Sequence, residues 1–297
     1  MLSTAWITCG LAAYVLAFSA VVIGTIALRS KRRRERTPEK FKLLRGPGET
    51  LRKRVQRLDE DFDLWVGGCA LVPVLLAGAF IQGATALNGI LKLVALAAAV
   101  VVLLGGIVTA AVILYRRLQR QRDDHLGYLG ERAVAEYLEP LKEAGYRVFH
   151  DVPADGATKR FNLDHVTVGP TGVVVIETKT RRKGRARPGF KDHEVIFDGR
   201  QLVWPWGEDR NGLEQAVAEA NWLSKWLQQR TGVKLAVQPV LTLPGWYVNE
   251  SPSPHVRVVN SKILPDVVRG RGAVILEARE MDLIARQLDT LCRDVED

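Results

Sequence analysis

FNLDHVTVGPTGVVVIETK, from Phe161 to Lys179, reads as two short strands closed by a tight turn. β-Branched and apolar residues fill both arms, and Gly169-Pro170-Thr171-Gly172 supplies the turn. If the hairpin is symmetric about that turn, Val168 faces Val173, Asp164 stands opposite Glu177, and Asn162 stands opposite Lys179. Glu177 and Lys179 are two apart and share a face with Asp164. Opposed Cβ atoms lie about 4.5–5.5 Å apart, so two carboxylates there repel and resist ionising together. A divalent cation between them removes that penalty, and Mg²⁺ favours carboxylate oxygen. The hairpin reads as half of a metal site with a lysine beside it. The blander alternative is a solvated hairpin, where Glu-x-Lys is common and a lysine facing an asparagine needs no metal. A three-residue loop would also send Asp164 to the other face.

The flanks supply alternating helices and strands. Asp123 or Asp124 can cap a helix running to about Ala144, with Leu126, Ala133, Tyr137 and Leu141 among its apolar positions. Glu131 aligns with Val134 and Leu138, on or beside the buried face, where a carboxylate needs a partner. Gly127 and Gly130 allow close backbone approach there. Tyr146–Val152 reads as a first strand and Pro153–Arg160 as a polar loop. Glu194–Val203 is a second hairpin turning at Asp198-Gly199. Asn211–Arg230 is a helix with an apolar stripe of Leu213, Ala216, Ala220, Leu223 and Leu227. Gln215, Glu219, Trp222 and Trp226 lie along its adjoining face; the tryptophans can stack on bases, but packing on the sheet is the favoured reading. Leu235–Leu243 is a buried strand, Val256–Val259 an edge strand and Met281–Cys292 a closing helix. The pattern points to an α/β domain on a mixed sheet.

A basic run, Lys179, Arg181, Arg182, Lys183, Arg185, Arg187 and Lys191, leaves the first hairpin. Its place beside the carboxylates suggests phosphate contact, against the ordinary alternative of a solvated loop.

The 297 residues carry a net charge of +9, but its location argues against a simple nucleic-acid reading. Arg29–Asp63 holds 13 Lys/Arg against 7 Asp/Glu, whereas the stretch from Arg116 onward holds 28 against 26. The excess sits between apolar segments, where it sets membrane orientation. Ala5–Leu28 is 24 residues without a charge, long enough to span a bilayer. Nothing positive precedes it and Arg29, Lys31, Arg32, Arg33, Arg34 and Arg36 follow, which favours an anchor with its N-terminus outside over a cleaved signal. Leu64–Ile81 and Leu93–Tyr115 are the second and third spans, joined by a short link containing Asn88-Gly89. Arg116, Arg117, Arg120 and Arg122 then mark the cytosolic side. Trp65 and Tyr115 fit an inner aromatic belt and Trp6 an outer one. Thr50–Asp63 has Leu51, Val55, Leu58 and Phe62 at helical spacing, an amphipathic helix for the inner leaflet or a solvated linker helix. Cys9, Cys69 and Cys292 form no framework and suit a reducing cytosol.

Together, Gly130-Glu131, Asn162-Leu163-Asp164-His165, Gly169-Pro170-Thr171-Gly172, Ile176-Glu177-Thr178-Lys179 and Glu214-Gln215-Ala216 give a chain that resembles the NERD, or nuclease-related, domain over about Gly127 to Trp246. That family is placed in the PD-(D/E)xK nuclease superfamily. The resemblance implies an α/β, restriction-endonuclease-like mixed sheet flanked by helices, here preceded by three transmembrane helices. It implies Asp164 and Glu177 as metal-ligating acids and Glu131 as a further ligand or water holder. Lys179 would orient the attacking water and offset charge at the phosphate, and Gln215 would be the polar residue of the second helix. Leu163 stands where the superfamily has Pro, and Thr180 where Asn is expected. His165 points away from Asp164 and receives no catalytic role.

The resulting expectation is a membrane helix at 1–28, a basic linker at 29–63, a helical hairpin at 64–115, a NERD domain at 123–250 and a C-terminal strand and helix at 251–297. The expected activity is nucleic-acid hydrolysis with Mg²⁺ or Mn²⁺, with DNA favoured over RNA, at the inner or plasma membrane with the domain in the cytosol. Arg181, Arg182, Lys183 and Arg185 are the expected nucleic-acid contacts. The rival is a non-catalytic module of the same fold that binds nucleic acid or protein at the membrane.

Overall fold

The computed structural model describes residues 41–155, 160–270 and 275–296. They fall into two compact units, one holding Arg54–Arg122 and the other Lys40–Lys53 with Asp123–Glu296.

Two long helices are shared between the units, α1 (Glu49–Thr85) and α2 (Gly89–Leu138), and their parts within Arg54–Arg122 make the first unit a helical hairpin. Each helix has a stretch long and apolar enough to cross a membrane, with mean hydropathies of 1.8 and 2.7. Large side chains such as Leu75, Ile90, Val101 and Ile107 stay exposed along them. Gly106 lies against Pro73, where any side chain would meet the proline ring. These helices account for two of the three expected crossings; Ala5–Leu28 and the basic residues up to Lys40 lie outside the described residues.

Both helices overrun their expected limits. Thr50–Asp63 is no separate surface helix but the first part of α1, continuous with the second apolar stretch. Likewise α2 passes through Asp123 and Asp124, which lie within the helix and not at its start, and ends at Leu138. The reason is local: Arg116–Asp124 contains neither Gly nor Pro and is rich in good helix formers. A break comes at Pro140, which opens the short α3 (Pro140–Glu143).

The second unit is built on a five-stranded sheet. Its strands are β2 (Arg147–Asp155), β3 (Arg160–Gly169), β4 (Gly172–Thr178), β8 (Gln238–Thr242) and β10 (Arg257–Val259), in the order β10-β8-β4-β3-β2. β2, β3 and β4 are antiparallel neighbours, whereas β8 and β10 run parallel to β4. The central β4 is buried along its whole length, as its unbroken apolar run requires of a strand covered on both faces. Val166, Val168, Val173 and Val175 pack under α4 (Asn211–Thr231) and α6 (Ala278–Leu291). Val174, Ile176 and Val240 pack under Val134 and Leu138 of α2. A four-stranded sheet, β5 (Glu194–Phe197), β6 (Leu202–Trp204), β7 (Gly207–Asp209) and β9 (Tyr247–Glu250), joins through a third cluster around Phe197, Trp204, Leu241 and Trp246. The remaining pieces are a 3₁₀ turn at Ser261–Ile263, α5 (Leu264–Arg269), and a two-stranded ribbon of β1 (Phe41–Leu44) with β11 (Arg293–Glu296). The fold is α/β on mixed sheets.

The β3–β4 register matches the symmetric hairpin: Val168 pairs with Val173 and His165 with Ile176. The ladder stops there, one position short of Asp164 and Glu177. On the other side of β3, His150 pairs with His165 and Val152 with Leu163. Asp151 and Asp164, which lie between, do not pair, and Asp151 has a left-handed φ of 48°. The sheet therefore opens at Asp164 on both sides. Pro153–Arg160 is not a simple loop, because both strands continue past Pro153 to the pair Asp155–Arg160. Asn162 does not meet Lys179; it pairs with Pro153, while the Lys179 N–H bonds to the Thr242 carbonyl at 3.0 Å.

Candidate active site

Four carboxylates and one lysine gather where the sheet opens. Asp164 comes from β3, Glu177 from the end of β4, Glu131 from α2 and Glu219 from α4. The Thr178 N–H donates to Asp164 Oδ2 at 2.7 Å, replacing the backbone pairing the ladder has lost. Glu177 is 2% exposed and meets Lys179 Nζ at 2.6 Å. Lys179 Nζ also donates to Gln215 Oε1 at 2.8 Å, and Gln215 Nε2 donates to Glu219 Oε1 at 2.8 Å. Gln215 and Glu219 are one helical turn apart, so α4 presents both on the same side. The carboxyls of Glu219 and Asp164 also act on the ionisation of Glu177.

The electrostatics follow from burial. Desolvation, reinforced by Glu177, Glu131 and Glu219, holds the Asp164 carboxyl well above the usual carboxylate range. Desolvation with Asp151 and Glu177 nearby pushes Glu131 up to about 8. Desolvation with Glu177 nearby pushes Glu219 up to about 9. Burial also raises Glu177, although Lys179 pulls the other way. Burial disfavours the Lys179 charge, but Glu177, Asp164 and Glu219 outweigh it and raise its pKa. A cluster so arranged holds protons at neutral pH or needs a cation.

Among the described residues no three His, Cys, Asp or Glu side chains converge into a ready metal-ligand group. The donor set nevertheless suits a hard divalent ion. Glu131 Oε2, Glu177 Oε2 and Glu219 Oε2 are buried without a hydrogen-bond partner, and carboxylate oxygen is what Mg²⁺ and Mn²⁺ bind.

The chain before α1 also reaches this region. Arg45 Nε donates to Asp151 Oδ2 at 3.0 Å, and Thr50 donates to the same oxygen through its N–H at 2.9 Å and its hydroxyl at 2.8 Å. Asn162 Nδ2 donates to Asp151 Oδ1 at 2.9 Å. Between Arg45 and Thr50, the Gly48 N–H favours the charged form of Glu131, against the burial that raises its pKa.

Residues 126–244 match the family model of the nuclease-related domain, NERD. That stretch is a NERD domain. No curated protein and no solved structure gives a match.

Within the NERD domain the structure brings Glu131, Asp164, Glu177, Lys179 and Gln215 together. Gly130 sits against Thr180, where a side chain would collide, so the close approach of α2 fixes the residue after Lys179. Gly127 similarly faces Leu51 of α1, with 2.9 Å for an added Cβ. The basic run does not form one free patch. Arg181 lies 3.5 Å from Asp209, and Arg182 lies 2.6 Å from Asp123. Lys183 stands over the Trp246 ring at 5.8 Å, and Arg185 is exposed. Trp222 and Trp226 stack on each other and pack on the core beside Phe161. His165 meets His150, Nδ1 to Nδ1, at 2.8 Å on the face away from Asp164.

Glu219 was visible in sequence only as a polar residue on the Gln215 face; its i,i+4 spacing from Gln215 was the available signal. Asp151, Arg45 and Thr50 gave none, because their meeting depends on a contact across about a hundred residues.

Proposed function

We propose that the NERD domain hydrolyses nucleic-acid phosphodiester bonds with Mg²⁺ or Mn²⁺, as a nuclease of PD-(D/E)xK type. The observation that carries this reading is the buried Glu131, Asp164 and Glu177 set, with Lys179 held against it and carboxylate oxygens left unpartnered. Those three acids would hold the cation, which supplies a hydroxide nucleophile and offsets charge on the phosphate. Lys179, steered by Glu177 and Gln215, presents its ammonium to the attacking water and the phosphate oxygen. Thr178 keeps Asp164 turned into the site through its N–H.

The nucleic acid enters beside Lys179. Lys183 lines a cleft of about 610 Å³ with Tyr137, His193, Tyr247 and Lys262. Tyr137 and Tyr247 are exposed, and aromatic faces among cations suit a flexible strand. DNA is the favoured polymer, with Arg181, Arg182 and Arg185 adding contacts to phosphate. The two apolar helices tether the domain to the inner or plasma membrane as part of a three-span anchor whose N-terminus is outside. Arg116, Arg117, Arg120 and Arg122 put the domain on the cytosolic side.

A non-catalytic binding module is the second reading, favoured by the lack of three convergent ligands among the described residues. The test offers the whole chain labelled single- and double-stranded DNA and RNA with Mg²⁺, Mn²⁺ or EDTA. Cleavage that needs metal and disappears in folded Asp164→Ala and Lys179→Ala variants supports the nuclease. Binding without cleavage of any substrate supports the module.

A further inference from the structure

Gly212, Gln215 and Glu219 are spaced three and four residues apart, so they form one stripe along two turns of α4. That stripe meets Lys179 at both its stem and its head. A Cβ added to Gly212 would fall 3.1 Å from Lys179 Cγ, so the helix backbone comes right up to the stem. At the head, Lys179 Nζ lies 2.6 Å from Glu177 Oε1 and donates to Gln215 Oε1 at 2.8 Å. An ammonium has three N–H donors. Two are committed here, and they fix the direction of the third. Gln215 is the weaker of the two holds, because it is exposed. Its amide has an acceptor on one side and donors on the other, so a half-turn would set its NH₂ against the ammonium. Glu219 prevents that turn: it is 2% exposed, and its Oε1 accepts from Gln215 Nε2 at 2.8 Å. A carboxylate oxygen has no hydrogen to give. A proton carried on Glu219 Oε2, which is buried without a partner, still leaves Oε1 an acceptor. The amide therefore keeps its oxygen on Lys179.

We infer that Glu219 is a positioning residue whose carboxyl fixes the Gln215 amide, so that Gln215 holds the Lys179 ammonium toward the attacking water. The role rests on the nuclease reading above, whereas the relay from Glu219 through Gln215 to Lys179 stands on its hydrogen bonds alone. An apolar side chain at position 219 frees the amide to turn, and the ammonium then swings toward Glu177, its remaining acceptor. A misplacement of about 1 Å is enough to cost a reaction up to about 100-fold. Exchanging the two side chains keeps the polarity that Lys179 meets. A carboxylate at position 215 accepts from the ammonium, and an amide at position 219 donates to that carboxylate.

The experiment uses the whole chain in lipid nanodiscs and two readouts. Acylation of Lys179 by a limiting dose of acetic anhydride, quantified by mass spectrometry, reports how the ammonium is held whether or not the chain cleaves anything. Cleavage of labelled DNA and RNA with Mn²⁺ gives kcat and KM. Exchange protection of the β4 amides confirms that each variant is folded. Glu219→Leu is expected to speed Lys179 acylation about three- to tenfold, the worth of one hydrogen bond. It is expected to lower kcat by about 10- to 100-fold with KM little changed. Gln215→Leu is expected to do the same, and the double variant to be no worse than either, because both cut one chain of contacts. The exchanged pair, Gln215→Glu with Glu219→Gln, is expected to recover most of both losses. Wild-type acylation of Lys179 in folded Glu219→Leu overturns the relay, and so does a double variant whose effect is the product of the two single ones. Faster acylation beside an unchanged kcat, or an exchanged pair no better than Glu219→Leu, overturns the positioning role. A wild-type chain that cleaves neither polymer overturns the nuclease reading and the positioning role with it, while the acylation rates still decide the relay.

Discussion

Raising the pH in EDTA should unfold this protein more easily, and the buried acids set the size of the effect. In the unfolded chain Glu131 and Glu219 titrate near 4.5, whereas in the folded chain burial holds them at about 8 and about 9. The folded state thus keeps protons that the unfolded state has released. The stability these groups provide is complete below the unfolded value and is lost as pH rises through the folded values. One retained proton changes stability by about 1.4 kcal/mol per pH unit. From pH 6 to pH 8 that is about 3 kcal/mol for one proton shared in the cluster, rising to roughly 5 kcal/mol for two independent ones. For a unit of this size 1 kcal/mol moves Tm by about 2–4 °C, so the shared-proton case lowers Tm by roughly 6–12 °C. His150 and His165 act on the acid side: burial lowers both pKa values, His150 to about 4. Their contribution is complete only above pH 6.5 and is lost as pH falls, so between pH 6 and pH 7 it offsets part of the loss that the acids alone would give. Intrinsic fluorescence during heating suits the assay, because Trp204 and Trp246 are buried in the core. Glu219→Gln should flatten the slope. Mn²⁺ should reverse it, since the carboxylates must lose protons to bind. A Tm that is flat or rising from pH 6 to pH 8 in EDTA would refute this account of the cluster.

Arg45→Ala leaves Asp151 buried beside a lost charge partner, and breaking a buried pair costs about 3–5 kcal/mol; thermal unfolding of the whole chain should show it. A fragment that starts at Asp124 lacks Arg45, Gly48 and Thr50 and should be less stable still, by the same measurement. Gly130→Ala drives a methyl into Thr180 beside Lys179; cleavage kinetics should show kcat reduced by up to about 100-fold, with KM little changed. Lys183→Ala should weaken strand binding and reduce the salt slope by roughly one counterion. Tyr247→Ala should cost about 1–3 kcal/mol of binding at any salt concentration. Both are read from binding isotherms across ionic strength.

The hairpin was legible because its signals are local. Apolar arms around GPTG fix the register, and register alone brings Asp164 near Glu177. α4 and its stripe were legible for the same reason, as was the turn at Asp198, whose side chain accepts the Arg200 and Gln201 N–H groups at 2.8 Å. Helix ends were harder. The boundary expected at Asp63 was a change of polarity and the start expected at Asp123 or Asp124 was a capping residue, and neither breaks a backbone that has no Gly or Pro to interrupt it. The pairing of Asn162 with Lys179 failed because the ladder opens at Asp164, a tertiary distortion that alternation cannot encode. Glu219 and Asp151 were missed for a related reason: a buried acid is recognisable only once its surroundings are known.

The central claim, hydrolysis of a phosphodiester by water at this carboxylate cluster, is tested most directly by an isotope. The whole chain is incubated with the cleaved substrate class and Mn²⁺ in ¹⁸O-labelled water, and the new phosphate end is weighed by mass spectrometry after a single turnover. One ¹⁸O atom in that phosphate, with no product from Asp164→Ala, is the predicted result. Product formed without ¹⁸O, or formed equally by folded Asp164→Ala, would contradict it.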